Sequence, residues 1–274
     1  MASTDLSKKL LSRFGKLVTQ RSTWESHWQE VADYMMPRKA DITKTRSKGD
    51  KRGQLIFDSS PLQAVELLAS SLHGMMTNPS SAWFTLKFKD ANMDQQDEGK
   101  IWLEAATEVM YTAFNRSNFQ QEIFELYHDL ITFGTASMFI QEDEEDLLKF
   151  STRHINEIYI AEDEKGRIDT VYRKFSLSSR ALVQKFGKTV SNDIKTLAEK
   201  DPYQEIEVLH CVYPRADFNP NLKDKENMPF ESVYMEYKGG NELSVSGFKE
   251  FPFVCPRYLK ASHEIYGRSP AMTA

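Results

Sequence analysis

Five consecutive acids, Glu142-Asp143-Glu144-Glu145-Asp146, form the densest run of chemically capable side chains in this 274-residue sequence. Carboxylates can hold Mg²⁺ or meet a cationic surface on a neighbouring subunit. Like charges in sequence rarely all converge on one ion, and the run sits between two strand patterns, so an exposed acidic turn is the preferred reading. The opposite charge collects at Arg38, Lys39, Lys44, Arg46, Lys48, Lys51 and Arg52, with only Asp41 and Asp50 between them, a local balance of +5. Such a cluster can touch DNA phosphates. No aromatic lies among these cations to stack a base, so a mobile, solvated loop over residues 38–52 is the plainer reading.

Other chemistries fail on residue type or spacing. Gly187-Lys188-Thr189 ends like a phosphate-binding loop, but Leu182 stands where the leading glycine is needed and the segment before it reads as helix. His27, His73, His128, His154, His210 and His263 lack ligand spacing. Cys211 and Cys255 are too few and too far apart for a zinc site or a disulfide framework, and they fit a reducing compartment. Neither a nucleophile elbow nor a paired-carboxylate signature stands out. The expectation is a chain with no catalytic residue, metal or cofactor.

The stronger signal is packing. Trp24 and Trp28 lie one helical turn apart, ahead of Tyr34 and Pro37, and Trp83 and Trp102 follow. Each tryptophan can anchor a subunit interface, but ordinary core is at least as good a reading, because a single aromatic at helical spacing is usually just buried. The net charge of -5 argues against a whole-protein electrostatic grip on nucleic acid. The first residues hold no signal-peptide apolar stretch, and no run approaches the roughly 20 apolar residues that span a bilayer. A soluble chain, intracellular when made, is expected.

The elements follow from periodicity. Leu6, Leu10, Phe14, Leu17 and Val18 predict a helix over about 5–20, and Ser22-Thr23-Trp24-Glu25 has capping-box form before a second apolar face ending at Pro37. Two helices or one bent helix both satisfy this. Ser60-Pro61 opens a helix whose buried stripe is Leu62, Val65, Leu68/Ala69, Leu72 and Met75/Met76. Trp83 to Phe88 alternates as a short strand; Ile101 to Phe114 marks a helix, and Asn118 caps another that Gly134 ends. From Ala136 the pattern turns to β, with a hairpin about Asp163-Glu164-Lys165-Gly166, two short helices after Ser178 and near Asp193, and strands near 205–213, 230–237 and 243–246. The fold class is α+β: a mainly helical region 1–134 carrying the basic loop, then a mainly antiparallel β region 135–274.

Taken in order, several motifs resemble the head-to-tail connecting (portal) proteins of short-tailed bacteriophages, and the series spans nearly the whole chain. They are Trp24/Trp28 before Tyr34 and Pro37, Phe57-Asp58-Ser59, Leu67-Leu68-Ala69-Ser70, Asn78-Pro79, Trp83-Phe84, Asn118-Phe119, Phe133-Gly134-Thr135-Ala136, Val171-Tyr172-Arg173 and Tyr266-Gly267-Arg268-Ser269-Pro270. The resemblance implies a virion structural protein, not an enzyme: a homo-oligomeric ring, dodecameric when full length, at one capsid vertex. Double-stranded DNA passes through it during packaging and ejection. Implied partners are further copies of the chain, the terminase motor, capsid, scaffold and tail adaptor proteins, with no membrane; the implied locations are the virion and, during assembly, the host cytoplasm. Family members are longer, so the expectation is the wing of such a protein, ending near the first stem helix, with stem, clip and crown absent. One further hypothesis joins the charged segments: the basic loop of one subunit faces the acidic turn of the next. The rival reading is a DNA-binding adaptor or virion-associated protein that uses residues 38–52.

Overall fold

A computed structural model describes residues 5–47, 49–89, 97–222 and 224–273, with the Glu226 side chain left aside. In chain order the elements are α1 (Asp5–Met35), α2 (Ser60–Met76), α3 (Asp97–Arg116), α4 (Phe119–Phe133), β1 (Ser137–Asp143), β2 (Leu147–Arg153), β3 (Ile158–Glu162) and β4 (Ile168–Ser178). Next come α5 (Ser179–Phe186), α6 (Asn192–Lys200), β5 (Glu205–Pro214), β6 (Phe230–Glu236), β7 (Glu242–Phe248) and the short β8 (Phe253–Val254). Helices come first and antiparallel sheets after, the expected α+β arrangement.

The chain divides into two compact units, each assembled from noncontiguous segments and each mixing helix with sheet. The first is Met1–Trp28 with Ile155–Pro252; the second is Gln29–His154 with Phe253–Ala274.

The first unit is built on a five-stranded sheet of order β3-β4-β5-β6-β7, all neighbours antiparallel. Its two faces are buried by different helices. Leu10 and Phe14 of α1 pack on Tyr159, Tyr172, Leu209, Cys211, Val233 and Met235. The alternate residues Phe175, Val208 and Leu243 pack with Leu182 of α5, Val190 and Ile194 of α6. Burial on both faces explains why Val208 through Tyr213 is buried without a break, where a one-sided strand would alternate. A buried arginine closes one edge of this arrangement. Arg21 donates from Nη1 to the carbonyls of Ile155, Asn156 and Ile158 at 2.8, 3.0 and 2.8 Å, pairs with Glu25 at 2.7 Å, and lies 3.7 Å over the Tyr159 ring.

The second unit centres on α4. Helix α2 packs on it through Val65 and Ala69, with His73 hydrogen-bonded to Gln120 at 2.9 Å and Thr77 to Tyr127 at 3.2 Å. Strands β2-β1-β8 form its sheet. Gly134 ends α4 with φ of 73°, a left-handed cap that suits glycine.

Of the two alternatives for residues 5–35 the single helix is found: α1 is continuous through the apparent capping box, and Ser22 Oγ donates back to Thr19 O at 2.8 Å inside it. Two expectations are corrected. Trp83 to Phe88 has strand alternation but forms no strand; the amides of Trp83 and Phe84 donate to Tyr111 Oη at 2.6 and 2.7 Å. On α2, Met75 and Met76 are exposed rather than part of the buried stripe.

Candidate functional site

The basic segment begins in a 3₁₀ turn, Pro37–Lys39, directly after α1. Two polar residues buried on α1, Gln29 and Asp33, fasten the loop beyond that turn. Gln29 Oε1 accepts from the amides of Ile42, Thr43 and Lys44 at 3.0, 2.9 and 3.3 Å, and its Nε2 donates to Ala40 O at 2.7 Å. Asp33 takes Lys44 at 2.9 Å and Arg46 at 2.8 Å. Burial works against the Asp33 carboxylate, yet the two cations outweigh it and hold its pKa below the ordinary aspartate value.

Lys39 is committed more deeply. Its ammonium meets Asp129 at 2.6 Å and Glu125 at 2.7 Å, both on α4. Burial opposes the charge on Lys39 and pushes the wholly buried Asp129 carboxyl up, but the two facing carboxylates prevail at the lysine and raise its pKa. Arg52 pairs with Asp41. Arg38 and Lys51 are exposed; Lys48 lies outside the described residues. The +5 balance counted along residues 38–52 therefore omits Asp33, Glu125 and Asp129, acids brought to the loop from elsewhere. A phosphate competing for Lys39, Lys44 or Arg46 must displace a carboxylate already bonded at hydrogen-bond distance.

The acidic run is the turn joining β1 to β2. Glu142 and Asp143 end β1, and Glu144, Glu145 and Asp146 form the connection. Asp143 Oδ1 accepts from the amides of Glu145 and Asp146 at 3.0 and 3.1 Å, and these bonds hold its pKa down. That is turn chemistry. Among the described residues no group of three or more His, Cys, Asp or Glu is placed to hold a metal ion. Gly187-Lys188-Thr189 forms a 3₁₀ turn following α5, and Thr189 Oγ1 donates to Leu243 O.

The four tryptophans separate by environment. Trp28 is fully buried and Trp24 half-buried, their rings 5.8 Å apart. Trp83 stacks on Phe119 at 5.7 Å with the planes 8° apart, inside a cluster with Phe84, Tyr111 and Phe114. Trp102 alone of the four is predominantly exposed.

Two distant motifs meet behind α4. Gly267 N donates to Thr135 Oγ1 at 2.7 Å, Tyr258 N to Gly134 O at 2.8 Å, and Ser269 Oγ to Thr132 O at 2.9 Å. Tyr266 and Phe133 are buried here, and Ser269 caps the turn Pro270–Met272. The Phe133-Gly134-Thr135 and Tyr266-Gly267-Arg268-Ser269-Pro270 segments are thus one structural feature.

The sequence model of the bacteriophage head to tail connecting protein family matches residues 7–274. The chain belongs to this family. Its curated relatives include a protein named "Probable portal protein" of Bordetella phage BPP-1, 35% identical over 280 residues, and one named "Portal protein" of Salmonella phage epsilon15, 34% identical over 280 residues. Both matches cover 100% of this chain and 50% of the relative, so the chain spans about half the length of these connecting proteins. Sequence reasoning missed Arg21, Gln29, Asp33 and Asp129. The only available signal was a polar residue recurring on an otherwise apolar helix face, as with Gln29 and Asp33 four apart among Trp28, Val31 and Ala32.

Proposed function

We propose that the chain acts as a portal subunit of a short-tailed phage, contributing the wing of a homo-oligomeric ring at one capsid vertex. The whole-chain match to the head to tail connecting family, with two relatives named portal proteins, carries this reading. Its mechanism is geometric rather than catalytic: the ring encloses a passage for double-stranded DNA and interlocks with capsid, scaffold and tail adaptor, while the terminase partner hydrolyses ATP. The wing reading assigns residues 1–134 to a helical part with the 38–52 loop and residues 135–274 to a β part. A dodecamer at full length, the virion as location and the host cytoplasm during assembly belong to the same proposal. No helix among the described residues is long and apolar enough to cross a membrane.

An acidic subunit suits a wall past which a polyanion slides, because net repulsion prevents retention. The DNA-adaptor alternative is weakened by the intramolecular pairing of Lys39, Lys44, Arg46 and Arg52. Contact between the basic loop and a neighbour's acidic turn remains part of the proposal, and its test belongs on the acidic side. Reversing Lys44 or Arg46 also unfastens Asp33, whereas changing Glu142 and Glu144 to lysine spares the loop. Electron microscopy and light scattering of the purified chain test the ring itself: closed rings of uniform subunit number are expected, and particles of open or random geometry would overturn it.

A further inference from the structure

Four cations on the outer side of α1 stand in contrast to the fastened loop. Lys8, Lys9, Arg13 and Lys16 are all exposed, and the sequence holds no acid from Leu6 to Trp24. Among the described residues none of the four is in an ion pair. The carboxylates close by are occupied. Glu25 pairs with the buried Arg21. Glu207 and Glu231 lie two residues from Leu209 and Val233, hence on the sheet face that α1 covers, and pair with Lys174 at 2.7 Å and Arg215 at 3.8 Å. Glu242 accepts from Ser7 Oγ at 3.3 Å. Arg13 lies 5.5 Å from the centre of the Tyr213 ring, which orders the side chain without neutralising it.

We propose that this face of α1 binds the phosphate backbone of duplex DNA. The inference rests on the portal reading, in which duplex DNA is what the ring meets, and it places the contact on α1 instead of on residues 38–52. Charge complementarity chooses a polyanion, and three further features choose the kind. Lys8 to Lys16 covers about 12 Å of helix, the length of about three to four phosphates on one strand. Ser12 and Gln20 are exposed on the same side and carry the polar groups that suit phosphate and sugar contacts. The leucines, valine and phenylalanine of this stretch are buried or half-buried. The face therefore lacks the apolar anchor on which a protein interface depends, and it has no aromatic on which an unpaired base could stack.

Gly15 sits in the middle of the four cations, exposed and with open space where its Cβ would be. A side chain there would stand between the helix and anything the cations hold, so its absence leaves the backbone of α1 open to close approach. The net charge of -5 keeps the contact weak. Four neutralised phosphates set its salt dependence: the logarithm of the affinity should fall with the logarithm of salt at a slope of about -3.6, a loss of roughly 150-fold between about 50 and 200 mM.

Fluorescence anisotropy of a labelled duplex with the whole chain tests the contact. Lys8→Gln, Lys9→Gln and Lys16→Gln together remove three exposed, unpaired charges, so circular dichroism should match the parent. The expected result is an affinity lowered at least about tenfold at about 50 mM salt and a salt slope smaller by about 2.7. Lys8→Arg, Lys9→Arg and Lys16→Arg should keep the parent slope, Gly15→Glu should weaken binding, and Arg38→Gln with Lys51→Gln in the loop should change neither affinity nor slope. An unchanged slope in the glutamine variant, or a larger loss from the loop pair, would overturn the contact. Polyglutamate that displaces the duplex as efficiently as unlabelled duplex does would also overturn it and reassign the face to an acidic protein surface. Electron microscopy separates the two readings. Rings whose DNA slope is unmoved by the glutamine variant remove the contact and keep the portal; a slope that falls as expected in a chain that forms no ring keeps the contact and counts against the portal.

Discussion

Gly134 and Gly267 lie backbone to backbone with no room for a side chain on either. A Cβ at Gly134 would sit 2.3 Å from Gly267 O, and one at Gly267 would sit 2.4 Å from Gly134 O. Gly134 also carries φ of 73°, which costs an L-residue with a side chain about 1–2 kcal/mol before any clash. This contact ties residues 266–270 to the end of α4, so glycine is required at both places by the close approach and at Gly134 by its left-handed backbone as well.

Alanine at either glycine should lower stability by more than about 2 kcal/mol, read from chemical denaturation. Gly15→Ala provides the contrast, since Gly15 is inside α1 and its added Cβ meets nothing within 4 Å. It should raise stability by about 0.5–1 kcal/mol. Equal effects at Gly15 and Gly134 would contradict the close approach.

Arg21→Met should destabilise the first unit by about 3–5 kcal/mol, because three buried carbonyls and Glu25 lose their donor together. Arg21→Lys should recover only part, having no planar fork to reach the carbonyls and Glu25 at once. Urea midpoints for the two variants decide it. A neutral Arg21→Met would show that the guanidinium is not holding this edge.

The loop anchor titrates. The Asp33 pKa is lowered in the folded chain, so its stabilising contribution is present above the unfolded value of about 3.9 and is lost as pH falls through the lower folded value. Amides of Ile42, Thr43 and Lys44 should therefore exchange with solvent faster, after correction for intrinsic rates, only in strong acid. Asp33→Asn should bring that increase to neutral pH. Protection unchanged in Asp33→Asn would leave Gln29 as the sole fastener.

His128 acts in a milder range. Burial lowers its pKa, with Glu66 pulling the other way and Arg38 and Lys39 adding to the depression. A depressed folded pKa gives stability that is present above about pH 6.5 and lost as pH falls through the folded value. Stability should decline below about pH 6.5, and His128→Leu should flatten that part of the profile. An identical slope in the variant would assign the decline to another group.

Duplex DNA should bind weakly, with affinity falling steeply as salt rises from about 50 to 200 mM, because few of the basic-loop cations are uncommitted. Fluorescence anisotropy measures this directly. Tight binding that survives about 200 mM salt would restore the adaptor reading.

Local pattern in the sequence determined the elements. Glu205–Pro214 is strand where the sequence reads strand, Ser60–Met76 is helix behind its Ser-Pro start, and Gly134 ends α4 as its residue type requires. These choices depend on backbone preferences and on periodicities of two or 3.6 residues, which neighbours in the chain express by themselves. The ordered motifs also pointed to the family. Tertiary structure alone decided which apolar stripe is covered, since Ile101 and Val109 on α3 have the same spacing as buried positions elsewhere yet stay exposed. It alone converted a basic run into a fastened strap, because Asp33 and Asp129 reach Lys44 and Lys39 from outside that run. Charge pairing and burial depend on distance through space, and the chain brings residues together across separations that no local window spans.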